Sequence, residues 1–423
     1  MPNTGRVLCS AFLCLMTWSV ASFATLEVLP GVHLEGDLTG NETREILKQY
    51  LNHPNHQTAK TIQFHSMAQV APIIQMGERL LKWVDHINGS RPSNQLLSLS
   101  SKTTQAAFPI ESPRIYNERI VQSEYQTVMA AAPAWLTSVV IDGKPYPATV
   151  PVDDVEFIKQ ARPAERIYSL AARWAMLEPS VLFLKARAAQ DVRGYYFLKQ
   201  EPDLQSKLDQ YESLESGKKA ELKKWLVGLC QNASLSLSTC QSRFQSASAR
   251  THYQKYLPYG EETWEDFFKL DVRRSDVDWL SGSSPILSIP FIDPSTTEVR
   301  DFLVDNIEDE WKWNAWQLRL DFVPSGSHAF IRFIAGTVPN VNRLGGNQVT
   351  MDANAPLTEY DAQWTIRHEF GHVLGFPDCY HEFYDESLGA IVNYQLDTSN
   401  IMCSRRGRLQ ETHFQALKQV YGP

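Results

Sequence analysis

The sequence predicts an α+β protein, with a mainly α-helical N-terminal region followed by a C-terminal domain of mixed strands and helices. Three observations carry this. The chain has 423 residues, too many for one ordinary core, so two or three domains are expected. Between about Pro113 and Trp279 apolar residues recur at helical spacing, as in Ile167, Leu170, Ala171 and Trp174 and again in Leu222, Trp225 and Leu226. After Ser281-Gly-Ser-Ser-Pro285 the pattern changes to a compact order of strand, helix, strand, strand, helix. A hydrophobic content of 43% with 11% aromatic residues belongs to a folded chain and excludes disorder as the default; no repeat of solenoid period is present.

The chain begins with an Arg6-containing segment, an apolar run from Val7 to Ala21, and Ser22-Phe-Ala24 before Thr25, the layout of a signal peptide cleaved after Ala24. The run is shorter than the roughly 20 residues a membrane span needs. Cys9 and Cys14 are not preceded by the small residues of a lipoprotein box, and no later stretch can span a bilayer. A secreted protein, extracellular or periplasmic, is expected. The predicted division is 1–24 signal peptide, 25–112 N-terminal segment with a polar linker (Asn88 to Ser93, then Ser100 to Thr104), 113–284 mainly helical accessory or pro-domain, and 285–423 last domain. Arg6 is the leader's one charged side chain, so its removal takes the formal charge from −8 to about −9, a mildly acidic surface without a large basic block. Nucleic acid is thereby excluded as an expected partner. Four cysteines remain, Cys230, Cys240, Cys379 and Cys403, which suggests two disulfides in an exported chain. Of the three pairings, local loop closure favours Cys230 with Cys240 and Cys379 with Cys403.

Within the last domain, Thr296 or Thr297 can cap a helix striped by Val299, Phe302, Leu303 and Ile307, which ends near Trp311, Trp313 and Trp316. Those tryptophans read as core. Leu318, Leu320 and Phe322 alternate with polar residues as a half-buried strand does, Pro324-Ser-Gly-Ser327 turns the chain, and Ala329 to Ile334 is a second strand. Thr358 followed by Asp361 resembles a capping box, and Tyr360 to Leu374 contains no Pro and one Gly, so a helix is expected there. At about 100° per residue Ile366, Phe370, Val373 and Leu374 share one stripe, while His368 and His372 stand one turn apart on the other side.

Two neutral imidazoles so placed can each reach one zinc ion at about 2.0–2.1 Å and leave positions for a third ligand and a water. Glu369 is poised to act as general base toward that water. Gly375 follows His372 by three residues, where a left-handed residue ends a helix, and Phe376-Pro-Asp378 then sets a carboxylate six residues beyond His372 while Pro377 forbids the helix to resume.

The run His368-Glu-Phe-Gly-His372-Val-Leu-Gly375-Phe-Pro-Asp378 resembles the metzincin metallopeptidases, whose motif is H-E-x-x-H-x-x-G-x-x-H or D followed by a buried Met-turn. Asp378 stands where most families have a third His, as in the snapalysin-like branch. His381 is the rival third ligand. Ser399-Asn-Ile-Met402-Cys403 is the Met-turn candidate, in which the resemblance makes Met402 a hydrophobic floor beneath the metal. Cys379 and Cys403 directly follow Asp378 and Met402, so a disulfide between them would fix third ligand and Met-turn together.

The resemblance covers roughly Pro285 to Pro423 and implies a metzincin-like domain of twisted sheet plus active-site helix. Its implied activity is that of a zinc-dependent endopeptidase, with one catalytic Zn2+ on His368, His372 and Asp378, Glu369 as general base, and a protein or peptide as substrate. A structural calcium is not predicted. The Phe330 to Ile334 stretch is placed like the family's substrate-aligning edge strand, and Leu409, Phe414, Leu417 and Tyr421 supply the C-terminal helix. Some metzincins put a Tyr two residues after the methionine; that position is Ser404, so the role falls to Tyr380, Tyr384, Tyr394 or no residue.

Upstream, Leu34-Glu-Gly-Asp37 faintly resembles the Phe-x-Gly-Asp of astacin prosegments, though a solvated turn Asp accounts for it as well. Asn41, Asn88 and Asn232 begin glycosylation triplets that matter only in a glycosylating host. The alternative function is a zinc-containing binding or adhesion protein with lapsed or latent activity, which gives no reason to retain Glu369.

Overall fold

The computed structural model describes residues 39–52, 60–92, 95–99, 107–270, 272–335, 337, 339–353, 355–358 and 360–423. The expected leader, Leu34-Glu-Gly-Asp37 and residues 100–104 of the expected linker lie outside them. The architecture is α+β. Its first half runs α1 (Gly40–Asn52), α2 (Lys60–Asn88), β1 (Arg114–Tyr116), α3 (Glu118–Ala131), α4 (Ala134–Val140), α5 (Asp154–Leu177), α6 (Val181–Arg187), α7 (Arg193–Gln200), α8 (Leu204–Asp209), α9 (Ser216–Gln231), α10 (Leu237–Gln245) and α11 (Ala249–Asp266).

The central helix is α5. Asp153 caps it by accepting from the Glu156 N–H, and Ile167, Leu170, Ala171 and Trp174 are all buried along it. Helices α1, α2 and α3 pack around α5 into one apolar core that reaches Leu184. A second core gathers residues of α7 to α11 and is pinned by Cys230–Cys240, whose Cα atoms are 5.7 Å apart. The helical region therefore divides near residue 190 and not near 113: α2 folds back on α5 and draws both sides of the expected boundary into one core. After α2 the described residues 95–99 lie over that core, with Leu97 and Leu99 buried in it.

The second half runs β2 (Asp278–Leu280), β3 (Ile286–Ile292), α12 (Thr297–Leu303), β4 (Lys312–Trp313), β5 (Trp316–Val323), β6 (Phe330–Ile334), β7 (Asn340–Val341), β8 (Gln348–Asp352), α13 (Tyr360–Leu374), β9 (Tyr380–Asp385), β10 (Ala390–Gln395) and α14 (Glu411–Tyr421). Strand β2 pairs antiparallel with β3, so the sheet starts before the expected boundary at 285. Thr296 occupies the N-cap of α12 without a side-chain hydrogen bond, and the helix continues through a wider π-type turn, Val304–Glu308, that buries Ile307. Trp311 and Trp316 are core residues, and Trp313 packs partly buried against them.

The parallel pairs β3–β5 and β6–β8 are joined where Ile292 N–H donates to Ala329 O at 2.7 Å. The two sheets keep their own orders, β2-β3-β5-β4 and β6-β8-β7, with β7 antiparallel to β8. Phe330–Ile334 stands at one end of its three-stranded sheet, the position expected of it. Asn340–Val341, too short and polar to announce itself as a strand, takes the other end.

The segment between Asp378 and Met402 is a hairpin, β9–β10, extended by β1 into a three-stranded antiparallel sheet. It is buried along most of its length, including polar residues that find partners. Glu382 receives a two-pronged ion pair from Arg173 of α5, at 2.7 Å to each oxygen, and also pairs with Tyr116 and Asn393. Burial opposes its charge, but the Arg173 guanidinium prevails and holds the Glu382 carboxyl below its ordinary value. This network fastens the hairpin to the helical region.

Candidate metal centre

Helix α13 follows β8 and presents Ile366, Phe370, Val373 and Leu374 to the core, all at 0% exposure. The Asp361 side chain of the expected capping box lies outside the described residues. Trp311 steadies the helix by donating its indole N–H to the Arg367 carbonyl at 3.1 Å. Glu310 holds the same turn from the side, 2.5 Å from Arg367 Nη1 and 2.6 Å from Arg408 Nη1. The helix ends in a Schellman motif: Gly375 N–H donates to His372 O and Phe376 N–H to Gly371 O. Gly375 has φ of +102°, and a Cβ there would lie 2.2 Å from the Val272 carbonyl oxygen, so both conformation and space require glycine.

The reversed chain carries Asp378 back to the helix. Its Oδ1 lies 3.3 Å from His368 Nε2 and 3.2 Å from His372 Nε2. The three ligand atoms lie within 4.8 Å of one another. Each imidazole is oriented from behind: His368 Nδ1 is 2.7 Å from the Ile401 carbonyl and His372 Nδ1 is 2.8 Å from the Phe376 carbonyl. A carbonyl only accepts, so both Nδ1 atoms carry the proton, and in the neutral ring each Nε2 offers its lone pair toward Asp378. Three electron-pair donors thus converge, and Asp378 Oδ1 is buried without a well-formed hydrogen bond. With bonds of about 2.0–2.1 Å, ligands of a tetrahedral zinc stand roughly 3.3 Å apart. The residues present fit that ion.

The electrostatics are those of a coupled cluster. Burial disfavours charge on His372, but Asp378 outweighs it and raises the imidazole to about 10. Burial likewise opposes the Asp378 charge, and the two histidines hold it well below the usual carboxylate range. Glu369, at 3% exposure, goes the other way: burial raises its carboxyl, against the pull of His372, His368 and Arg405.

Met402, 2% exposed, lies against the helix at Gly371, where an added Cβ would meet Met402 Sδ at 2.2 Å. The Met402 backbone is held by Asn400 Oδ1, which accepts from Met402 N–H at 2.8 Å, and by Cys379 N–H, which donates to Met402 O at 3.1 Å. Cys379–Cys403, with Cα atoms 4.4 Å apart, clasps the two segments. His413 completes the support. Its Nδ1 accepts from Gln410 N–H, so Nε2 carries the proton and donates to Asn400 Oδ1 at 3.1 Å.

His381 is placed elsewhere. It is fully buried on β9, with Nε2 3.0 Å from the Arg187 carbonyl and its ring stacked on Phe383 at 5.0 Å. Burial, reinforced by Arg187, pushes its imidazole well below the ordinary value. Tyr394 is committed to Asp191 and Val192, and Tyr384 packs against the first helical core. Asn232 is also buried, its amide donating to the carbonyls of Ala189 and Asp191, which leaves no accessible acceptor for a glycan.

Sequence reasoning missed Gly371, Asn400, His413 and Arg405. Gly371 was the legible one, since glycine inside a helix asks for a packing reason. Arg405, 1% exposed, reaches Glu42 of α1 at 3.1 Å, so the helical region contributes to the surroundings of Glu369. No family model matches the chain, and neither a curated protein nor a solved structure is detectably similar to it.

Proposed function

We propose that the chain is a zinc-dependent endopeptidase of the metzincin kind, exported from the cell. The observation that carries this is the convergence of His368 Nε2, His372 Nε2 and Asp378 Oδ1, at 3.2 and 3.3 Å, with both Nδ1 atoms tied to carbonyls. A neighbouring buried Glu369 separates this arrangement from a purely structural site, which has no use for a base. The β6–β8 pair with antiparallel β7 at its edge before α13, and Met402 beneath the histidine helix, are consistent with the same reading. Two disulfides suit an oxidising compartment, and no helix among the described residues is long and apolar enough to cross a membrane.

A zinc ion held by the three residues would acidify a water and polarise the scissile carbonyl. Glu369 takes the proton of the attacking water and delivers it to the leaving amine nitrogen. Its raised pKa suits both halves of that task, since a stronger base accepts more readily and its conjugate acid still donates near neutrality. Asp378 offsets the dication's charge, and the Ile401 and Phe376 carbonyls keep the imidazoles in the binding tautomer. The test is digestion of an unfolded protein by the purified mature chain, with and without a zinc chelator, beside Glu369→Ala. Chelator-sensitive cleavage that Glu369→Ala lacks while retaining zinc is the expected result. Zinc bound by the intact mature chain without cleavage would favour the binding-protein reading.

A further inference from the structure

A second cavity, of about 750 Å3, opens where α6, α7, α9 and the start of α10 meet the far end of β9, and none of its lining residues belongs to the His368, His372, Asp378 cluster. Its size falls in the range of small-molecule pockets, roughly 300–1,000 Å3. At one end of it α7 and α9 cross on bare backbone. A Cβ at Gly194 would stand 2.4 Å from Leu229 N and 2.6 Å from the Trp225 carbonyl oxygen, and the facing residue on α9 is Gly228. Two glycines line the crossing, so no side chain fills that end. Apolar wall is supplied by Val227, Leu235, Leu237 and Phe383.

The charges around this wall do not cancel. Lining cations are Lys185, Arg193, Lys223 and Lys224, and lining anions are Asp191, Asp385 and Glu386, four against three. Arg193 is consumed by Asp191 at 2.8 Å and Asp385 at 2.7 Å, and Lys185 by Glu386 at 3.0 Å. Lys223 and Lys224 make no ion pair among the described residues. The Lys224 ammonium lies 4.2 Å from the centre of the Trp225 ring, which itself stacks on Phe197 at 4.3 Å. Partial burial, aided by Arg193, lowers the Lys224 pKa against the pull of Asp385, Asp191 and Glu221.

We propose that this cavity binds an organic monocarboxylate whose apolar body lies against Val227, Leu235, Leu237 and Phe383 and whose carboxylate is held by Lys223 and Lys224. One excess positive charge matches a monoanion and gives polyphosphates or nucleotides no adequate partner. The assignment does not depend on the peptidase reading.

The experiment is calorimetric titration of the full mature chain with naphthalene-2-carboxylate and with its neutral counterpart, naphthalene-2-carboxamide. The carboxylate should bind with one-to-one stoichiometry, and the carboxamide at least about tenfold more weakly. Joint Lys223→Glu and Lys224→Glu substitution should weaken the carboxylate by a similar factor, with zinc content unchanged. Lys223→Met with Lys224→Met gives the same comparison if charge reversal unfolds the chain. Leu237→Trp, which fills the apolar wall, should weaken both compounds. Absence of saturable binding, equal binding of the two compounds, or indifference to the lysine changes overturns the proposal.

Discussion

Gly371→Ala probes the contact between Met402 and the histidine helix, because the new methyl would sit 2.2 Å from Met402 Sδ, 2.9 Å from Cε and 3.2 Å from Trp311 Cζ2. An ordinary carbon–sulfur contact needs more than another ångström. Met402 cannot retreat as a unit, because its N–H is held by Asn400, its carbonyl by Cys379 and its neighbour Cys403 by a disulfide. Overpacking of this kind costs about 1–3 kcal/mol, and replacing a helical Gly with Ala returns about 1 kcal/mol. The expected net loss is about 0–2 kcal/mol, measured by chemical denaturation with metal present. The decisive comparison is the same substitution in a Met402→Ala background. That background opens a cavity and itself costs about 2–5 kcal/mol. With Sδ and Cε gone the clash largely vanishes, so Gly371→Ala should become neutral or stabilising by up to about 1 kcal/mol. An equal loss in both backgrounds would refute the packing of Met402 beneath the helix.

Asp378→Ala should lower zinc retention on dialysis far more than His381→Ala, because His381 points to the Arg187 carbonyl; the reverse order in metal analysis would move the third ligand. Joint Cys379→Ser and Cys403→Ser releases a loop of sequence separation 24, and chain entropy puts the loss of unfolding free energy at about 3.5 kcal/mol. A loss confined to stability, with no weakening of metal retention, would show that the bridge does not constrain the Asp378 position. His413, pushed down to about 4 by burial, stays neutral in the fold while the unfolded chain takes a proton near pH 6.5. The unfolded state therefore binds the extra proton between those values, and roughly 3 kcal/mol of stability present above pH 6.5 should be lost as pH falls through 4. His413→Gln should flatten that part of the denaturation-midpoint profile, and an unchanged slope would exclude His413 as its source. Cleavage should rise with pH along a limb set above the ordinary carboxylate range, since Glu369 acts deprotonated and burial raises its pKa; a limb at ordinary carboxylate pH in the kcat/KM profile would exclude Glu369 as the base.

What the sequence determined by itself was local and periodic. Helix α13 and its two-sided character followed from residue spacing, its end from Gly375 and Pro377, and both cysteine pairings from loop length. The histidines were expected to face away from the packed stripe, and they do, but into a second buried layer, because the Ile401–Met402 segment covers them. Tertiary structure alone decided the rest. Asp378 was separated from His381 by where β9 begins: Asp378 lies in the reversed loop before Tyr380 and meets the helix, whereas His381 lies within the strand and meets the Arg187 carbonyl. The β9–β10 hairpin was illegible because His381, Glu382, Asn393 and Gln395 are buried polar residues that break the apolar alternation, and the partners Arg173, Arg187 and Tyr116 lie 194 to 266 residues away in sequence. The division of the helical region depended on α2 packing back on α5, a contact that no local pattern encodes. Periodicity reports which face of an element is apolar; what that face meets is set by the burial of the whole chain at once.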